Sequence, residues 1–112
     1  MRLIVIGIVV LASALALVRS ASAAEIPQYT LTIKDHKFQP AEITAPADTK
    51  FKVLVVNQDS TPSEFESTEF NREKIVLPNN STTVFIGPLA KGNYKFFDDF
   101  HRDTGNGVLI VQ

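Results

Sequence analysis

The sequence predicts an all-β domain, a sandwich or a barrel, behind a removable N-terminal leader. Short runs rich in β-branched and aromatic residues recur along the chain, with turn residues between them. Beyond the leader, no segment keeps a helical period over about ten residues. The N-terminus has the order of a secretory signal. Met1-Arg2 is a positive start, Leu3 to Leu17 is an apolar run, and Ala21-Ser22-Ala23 is a small-residue cleavage site. The apolar run stops short of the roughly 20 residues that a spanning helix needs. The expected boundaries are a signal peptide over 1–23 and one domain over 24–112, with cleavage after Ala23 or Ala24 and no stable membrane insertion afterwards.

The strands follow in order. Tyr29 to Lys34 alternates, so Tyr29, Leu31 and Ile33 face the core. Phe38 and Ile43 flank Pro40, which reads as an edge strand or a bulged crossing. Ala45 to Thr49 turns into Phe51–Val56, a nearly continuous apolar run that reads as a central strand. Asn57 to Ser63 is a polar loop. Glu64 to Phe70 alternates as a short strand, and Asn71 to Lys74 reads as a single helical turn. The charged run Glu69 to Lys74 reads as a solvated face. Thr82 to Ile86 is a strand closed by Gly87-Pro88, Lys91 to Asn93 turns into Tyr94–Phe97, and Val108 to Val111 ends the fold.

Loss of Arg2 and Arg19 with the leader takes 11 basic residues to 9 against 12 acidic ones, a net charge near −3. A nucleic-acid partner is not indicated. The sequence holds no cysteine, and its one methionine is Met1, so the mature domain has no sulfur ligand. It carries neither a nucleophile–base pair nor a Gly-rich phosphate loop, which argues against a hydrolase.

Three constellations are candidates for chemistry. Asp98-x-x-His101 lies between two strands, and the spacing lets both side chains turn toward one point. A carboxylate with an imidazole suits Fe, Mn, Zn or Cu(II) better than Cu(I); the alternative is a solvated acidic loop. Glu64 and Glu66 share one strand face, with Phe65 on the other. Two carboxylates there repel unless water or a cation lies between them. They line either a solvated outer face or the Asp98–His101 loop. His36, after Asp35, is a surface residue or a ligand of a second site. Tyr94, Phe96, Phe97 and Phe100 read as core and as a wall beside the loop.

The chain resembles the cupredoxins, and among them the EfeO-type cupredoxin-like domain and the small stand-alone cupredoxins of FtrABCD-type ferrous-iron systems. The resemblance spans about Tyr29 to Gln112. It rests on Phe38-Gln-Pro-Ala-Glu-Ile43, on Val56-Asn-Gln-Asp59 leading to Glu64-Phe-Glu-Ser67, on Glu73-Lys74, on Ile86-Gly-Pro-Leu89, and on Gly92-Asn-Tyr-Lys-Phe-Phe97 through His101 to Val111. It implies a Greek-key β-sandwich in the periplasm. By position, the family's first ligand falls near Ser63 or Glu64, its cysteine on Asp98, its histidine on His101, and its axial methionine near Thr104 or Gly105. Type 1 blue copper requires the thiolate, and none exists here. The expectation is one transition-metal ion, Fe first and Cu(II) or Mn as alternatives. Its ligands are Glu64, Asp98 and His101, with Glu66, Asp99 and His36 as further candidates and Asp103 in reserve. The implied role is Fe(II) oxidation or delivery, with a periplasmic iron-binding partner and an inner-membrane iron permease. The other readings are a Cu(II) carrier or non-blue copper redox protein, and a metal-free interaction module.

Overall fold

A computed structural model describes residues 2–3 and 25–112; the rest of the expected leader lies outside the described residues. The nine strands are β1 (Gln28–Lys34), β2 (Lys37–Gln39), β3 (Glu42–Ala45), β4 (Phe51–Asn57), β5 (Ser63–Ser67), β6 (Arg72–Val76), β7 (Ser81–Ile86), β8 (Gly92–Asp98) and β9 (Asn106–Val111). They form a four-stranded sheet ordered β2-β1-β4-β7 and a five-stranded sheet ordered β3-β9-β8-β5-β6. Pairs β1·β4 and β3·β9 are parallel and the rest are antiparallel. The fold is therefore the expected all-β sandwich, with no helix among the described residues.

Alternation decides what each strand buries. In β1 Leu31 and Ile33 are buried and Tyr29 packs against the core. In β4, Phe51, Val53 and Val55 are buried, and the strand lies between β1 and β7, as its apolar run predicts. Phe38, Phe65 and Phe96 meet edge-on or tilted, with centroids 5.1 to 6.2 Å apart. Gly107 is required there. A Cβ on it would lie 2.2 Å from Phe96 Cζ and 2.9 Å from the Ala41 carbonyl.

One local expectation, the edge strand or crossing at Pro40, is borne out in finer form, and two change. Phe38 and Ile43 belong to different sheets: β2 edges the smaller and β3 the larger, and the chain crosses between them at Pro40-Ala41. Asn71 to Lys74 is not a helical turn. Asn71 closes a hairpin at φ 53, and Arg72 onward pairs with β5 from Ser67↔Arg72 to Ser63↔Val76. The charged side chains of β6 hid a strand because an edge strand is solvated on more than one side. Finally, Phe100 is exposed rather than part of a wall.

The β1–β2 hairpin turns on Asp35 and His36, both left-handed at φ 51 and 60. Two-residue turns favour this geometry, though neither residue is glycine. The Asp59 carboxylate accepts both backbone N–H groups, at 2.9 Å from Asp35 and 3.0 Å from His36. That anchor holds His36 against the loop between β8 and β9.

Candidate metal centre

Strand register sorts the expected ligands. Phe65 is in the core, and its cross-strand partner is Asp98, so Asp98 also faces inward. Ser63, two residues before Phe65, shares that face. Glu64 and Glu66 face outward; Glu66 lies opposite Phe97 on β8 and Glu73 on β6. Asp99 follows Asp98 and points to the outer side, its N–H donating to the Glu64 carbonyl at 2.9 Å. Glu64 and Asp98 are thus held on opposite faces of one sheet. The expected grouping of Glu64 with Asp98 and His101 is replaced by two groups, because a two-residue period cannot bring those side chains together.

The outer group is Glu64, Glu66 and Asp99. One carboxylate oxygen from each lies within 4.8 Å of the others, the only such trio of ligand atoms among the described residues. Glu64 is only 6% exposed. Its carboxyl neighbours are Glu73, Asp99 and Glu66. A hydrogen bond shared with the Glu73 carboxyl pushes the Glu64 carboxyl up to about 7, and burial and the charges of Glu73, Asp99 and Glu66 add to the effect. Asp99 is paired with a cation, Arg102. Arg102 Nε donates to Asp99 Oδ1 at 2.7 Å, and its Nη2 lies 2.5 Å from the same oxygen.

The inner group is Asp98, His101 and His36. Asp98, 1% exposed, accepts three hydrogen bonds: from Glu64 N at 2.9 Å and Phe100 N at 3.1 Å on Oδ1, and from His101 Nδ1 at 2.9 Å on Oδ2. The His36 ring stacks on His101 with centroids 3.6 Å apart and planes 15° from parallel. Parallel rings at that distance do not aim lone pairs at one ion, so His36 supports His101 from its face. His36 Nε2 also lies 3.2 Å from Thr61 Oγ1. Ser63 Oγ, on a residue 0% exposed that shares the inward sheet face with Asp98, has no hydrogen-bond partner. Asp103 is exposed and joins neither group.

Sequence reasoning quoted Glu73 and Asp59 only as part of the resemblance, gave neither a place at the site, did not single out Arg102, and left Ser63 and Glu64 as alternatives for one position. The pairing of β5 with β6 exposes Glu73, but that pairing was hidden by the helical-turn reading. Arg102 lies three residues after Asp99, a spacing visible in the sequence without its partner being evident.

A family model for the cupredoxin-like domain matches residues 7–111 of the chain. The uncharacterized protein RP394 of Rickettsia prowazekii (strain Madrid E) is 45% identical over 86 residues, 77% of this chain and 69% of that protein. Among solved structures, the fold is similar to amicyanin from Paracoccus versutus, with TM-score 0.61 and 19% identity over 82% of this chain and 86% of that one. It is also similar to the metal-binding domain of the Streptococcus pneumoniae D39 Cu(I)-exporting P-type ATPase CopA, with TM-score 0.68 and 12% identity over 82% and 91%. Auracyanin A from Chloroflexus aurantiacus gives TM-score 0.67 and 12% identity over 79% and 100%. With the family model spanning nearly all of its length, the chain belongs to the cupredoxin-like family.

Proposed function

We propose that this is an exported metal-binding protein that handles Fe(II), by oxidation or delivery, for a ferrous-iron uptake system. One observation carries the reading: carboxylate oxygens of the buried Glu64 and of Glu66 and Asp99 converge within 4.8 Å of one another. Like charges held that close favour a cation between them, and an all-oxygen set suits hard ions. A periplasmic iron-binding protein and an inner-membrane permease are the partners this role requires.

Type 1 copper, which the family suggests, does not fit the residues present. There is no thiolate. The inward position is filled by an Asp98 carboxylate already engaged by three donors. Gly105 packs so closely that a Cβ on it would lie 2.6 Å from Asp98 Cβ, leaving no room for a thioether at that point. A second reading, a Cu(II) carrier, draws support from the Asp98–His101 pair and from the unpartnered Ser63 hydroxyl on the same inward sheet face as Asp98. There a nitrogen and oxygens, not sulfur, would hold the ion.

Anaerobic titration with Fe(II), Mn(II), Cu(II) and Ca(II) tests both. The iron reading expects Fe(II) and Mn(II) binding that Glu66→Gln or Asp99→Asn abolishes and His101→Gln leaves intact. Loss on His101→Gln alone would move the site to the inner pair. Calcium binding as tight as Fe(II) binding, or no binding above background, would sink the iron reading.

A further inference from the structure

Strand β7 edges the smaller sheet: β4 pairs with one side of it, and no strand among the described residues pairs with the other. Its register with β4 runs from Phe51↔Ile86 to Val56↔Ser81. Just beyond, Asn57 N donates to the Asn80 carbonyl at 2.8 Å. Bonded and non-bonded pairs alternate along an antiparallel ladder. Thr82, Val84 and Ile86 therefore bond to β4, while Ser81, Thr83 and Phe85 turn their N–H and C=O groups to the open side. Two contacts agree with this parity. Lys52 N, opposite Phe85, donates away from β7 to the Pro27 carbonyl at 2.9 Å, and the Phe85 carbonyl accepts a hydrogen bond from Arg72 Nε at 2.7 Å.

An open edge is a template for another strand, and proteins guard such edges with charge. Lys37 lies on β2, Glu42 on β3, and Arg72, Glu73 and Lys74 on β6. Of the edge strands, β7 alone carries no charged residue. It is also self-complementary. A second β7, related to the first by a two-fold axis through Thr83, sets Thr83 against Thr83 and Ser81 against Phe85. Each of these pairs can exchange both backbone bonds. On the outer face the Phe85 ring, 46% exposed, then falls beside the small Ser81 of the second copy. The two Thr83 side chains meet at the axis, a favoured cross-strand pair. One strand from each copy covers less than the roughly 1,200 Å² that stable interfaces bury, so such a dimer is weak and dissociates on dilution.

We propose that β7 is a self-association edge, through which two copies of this chain pair antiparallel about Thr83 and join their smaller sheets into one. Arg72 limits the pairing, because its Nε occupies the Phe85 carbonyl that the Ser81 N–H of the second copy needs. The inference goes beyond the metal-binding reading and does not depend on it, since β7 lies in the other sheet from β5 and β8.

Analytical ultracentrifugation of the mature protein across a wide concentration range tests this. The parent is expected to show a reversible monomer–dimer equilibrium. Arg72→Ala releases one carbonyl in each copy and is expected to tighten the dimer about tenfold. Thr83 is exposed, so Thr83→Lys and Thr83→Glu leave the core untouched. Each sets like charges opposite one another at the axis and is expected to abolish the dimer at concentrations where the parent forms it. Mixing the two variants makes that pair one of opposite charges and is expected to restore association, which also shows that both are folded. A parent and an Arg72→Ala protein that both stay monomeric overturn the proposal and leave the edge to an extended segment of another protein. Dimers of parental strength in Thr83→Lys and in Thr83→Glu also overturn it, because the contact then lies elsewhere. So does a mixture that associates no better than its components.

Discussion

Asp98 and Asp99 are consecutive, yet their carboxylates meet opposite surroundings. Asp98 turns inward, loses nearly all contact with solvent and takes hydrogen bonds from two backbone N–H groups and the His101 ring. Asp99 turns outward, where it meets Glu64, Glu66 and Arg102. The same division runs through Ser63 and Glu64 on the neighbouring strand. The inner face satisfies its charge with donors; the outer face assembles acceptors with too few donors. A satisfied carboxylate holds structure together, whereas acceptors gathered without donors form a place for a cation.

The largest effect should come from the inner face. Asp98→Ala leaves two backbone donors and an imidazole without their acceptor, and is expected to cost about 3 kcal/mol in urea unfolding. A loss under about 1 kcal/mol would mean that the inner carboxylate is not the structural one, and the contrast would fail.

Glu64→Gln should do the reverse. It is expected to reduce Fe(II) or Mn(II) affinity by more than about tenfold while leaving the metal-free fold at least as stable near neutral pH. Undiminished binding in a folded Glu64→Gln protein would take the buried carboxylate out of the centre.

The pH dependence sharpens the same point. The Glu64 carboxyl is pushed from 4.5 up to about 7 in the folded protein, chiefly by the hydrogen bond shared with Glu73, with burial and the neighbouring charges adding to it. The folded state then holds the proton more tightly than the unfolded chain. This contribution to stability is complete below the unfolded value and is lost as pH rises through 7. Unfolding followed from pH 4.5 to 8 should show that decline in the metal-free protein and lose it in Glu64→Gln. A saturating divalent ion should oppose it. A metal-free protein that grows more stable across this window would contradict the assignment.

The smallest expected effect lies in the turn that supports His101. Burial raises the Asp59 carboxyl, but hydrogen bonds from His36 and Asp35 N–H and the charges of the His36 and His101 rings outweigh it, so its pKa lies below the usual value. Asp59→Ala frees two left-handed residues from their anchor and should cost about 1 kcal/mol. It should also unstack the rings, seen as a loss of mutual ring-current shifts in His36 and His101. Stacked rings in Asp59→Ala would show that the turn needs no anchor.

Much of this arrangement was legible beforehand. Leu31 and Ile33, the central run Phe51 to Val56, and the shared face of Glu64 and Glu66 all follow from a period of two applied to one strand at a time. Three features were not legible for a common reason. Which face Glu64 shares with the β8–β9 loop, the strand at Arg72–Val76, and the nearness of His36 to His101 all depend on contacts between residues distant in sequence. β6 lacks an apolar alternation because an edge strand has little to bury, so no local pattern announced it.

By itself, the sequence determined the all-β class, the absence of a cysteine thiolate and the stock of carboxylates and imidazoles available to a metal, because composition and alternation are local properties. Only the tertiary structure decided which of those groups meet. Register between β5 and β8 puts Phe65 opposite Asp98. With side chains alternating across the sheet, that single pairing sends Asp98 inward to its three donors and leaves Glu64, Glu66 and Asp99 together outside.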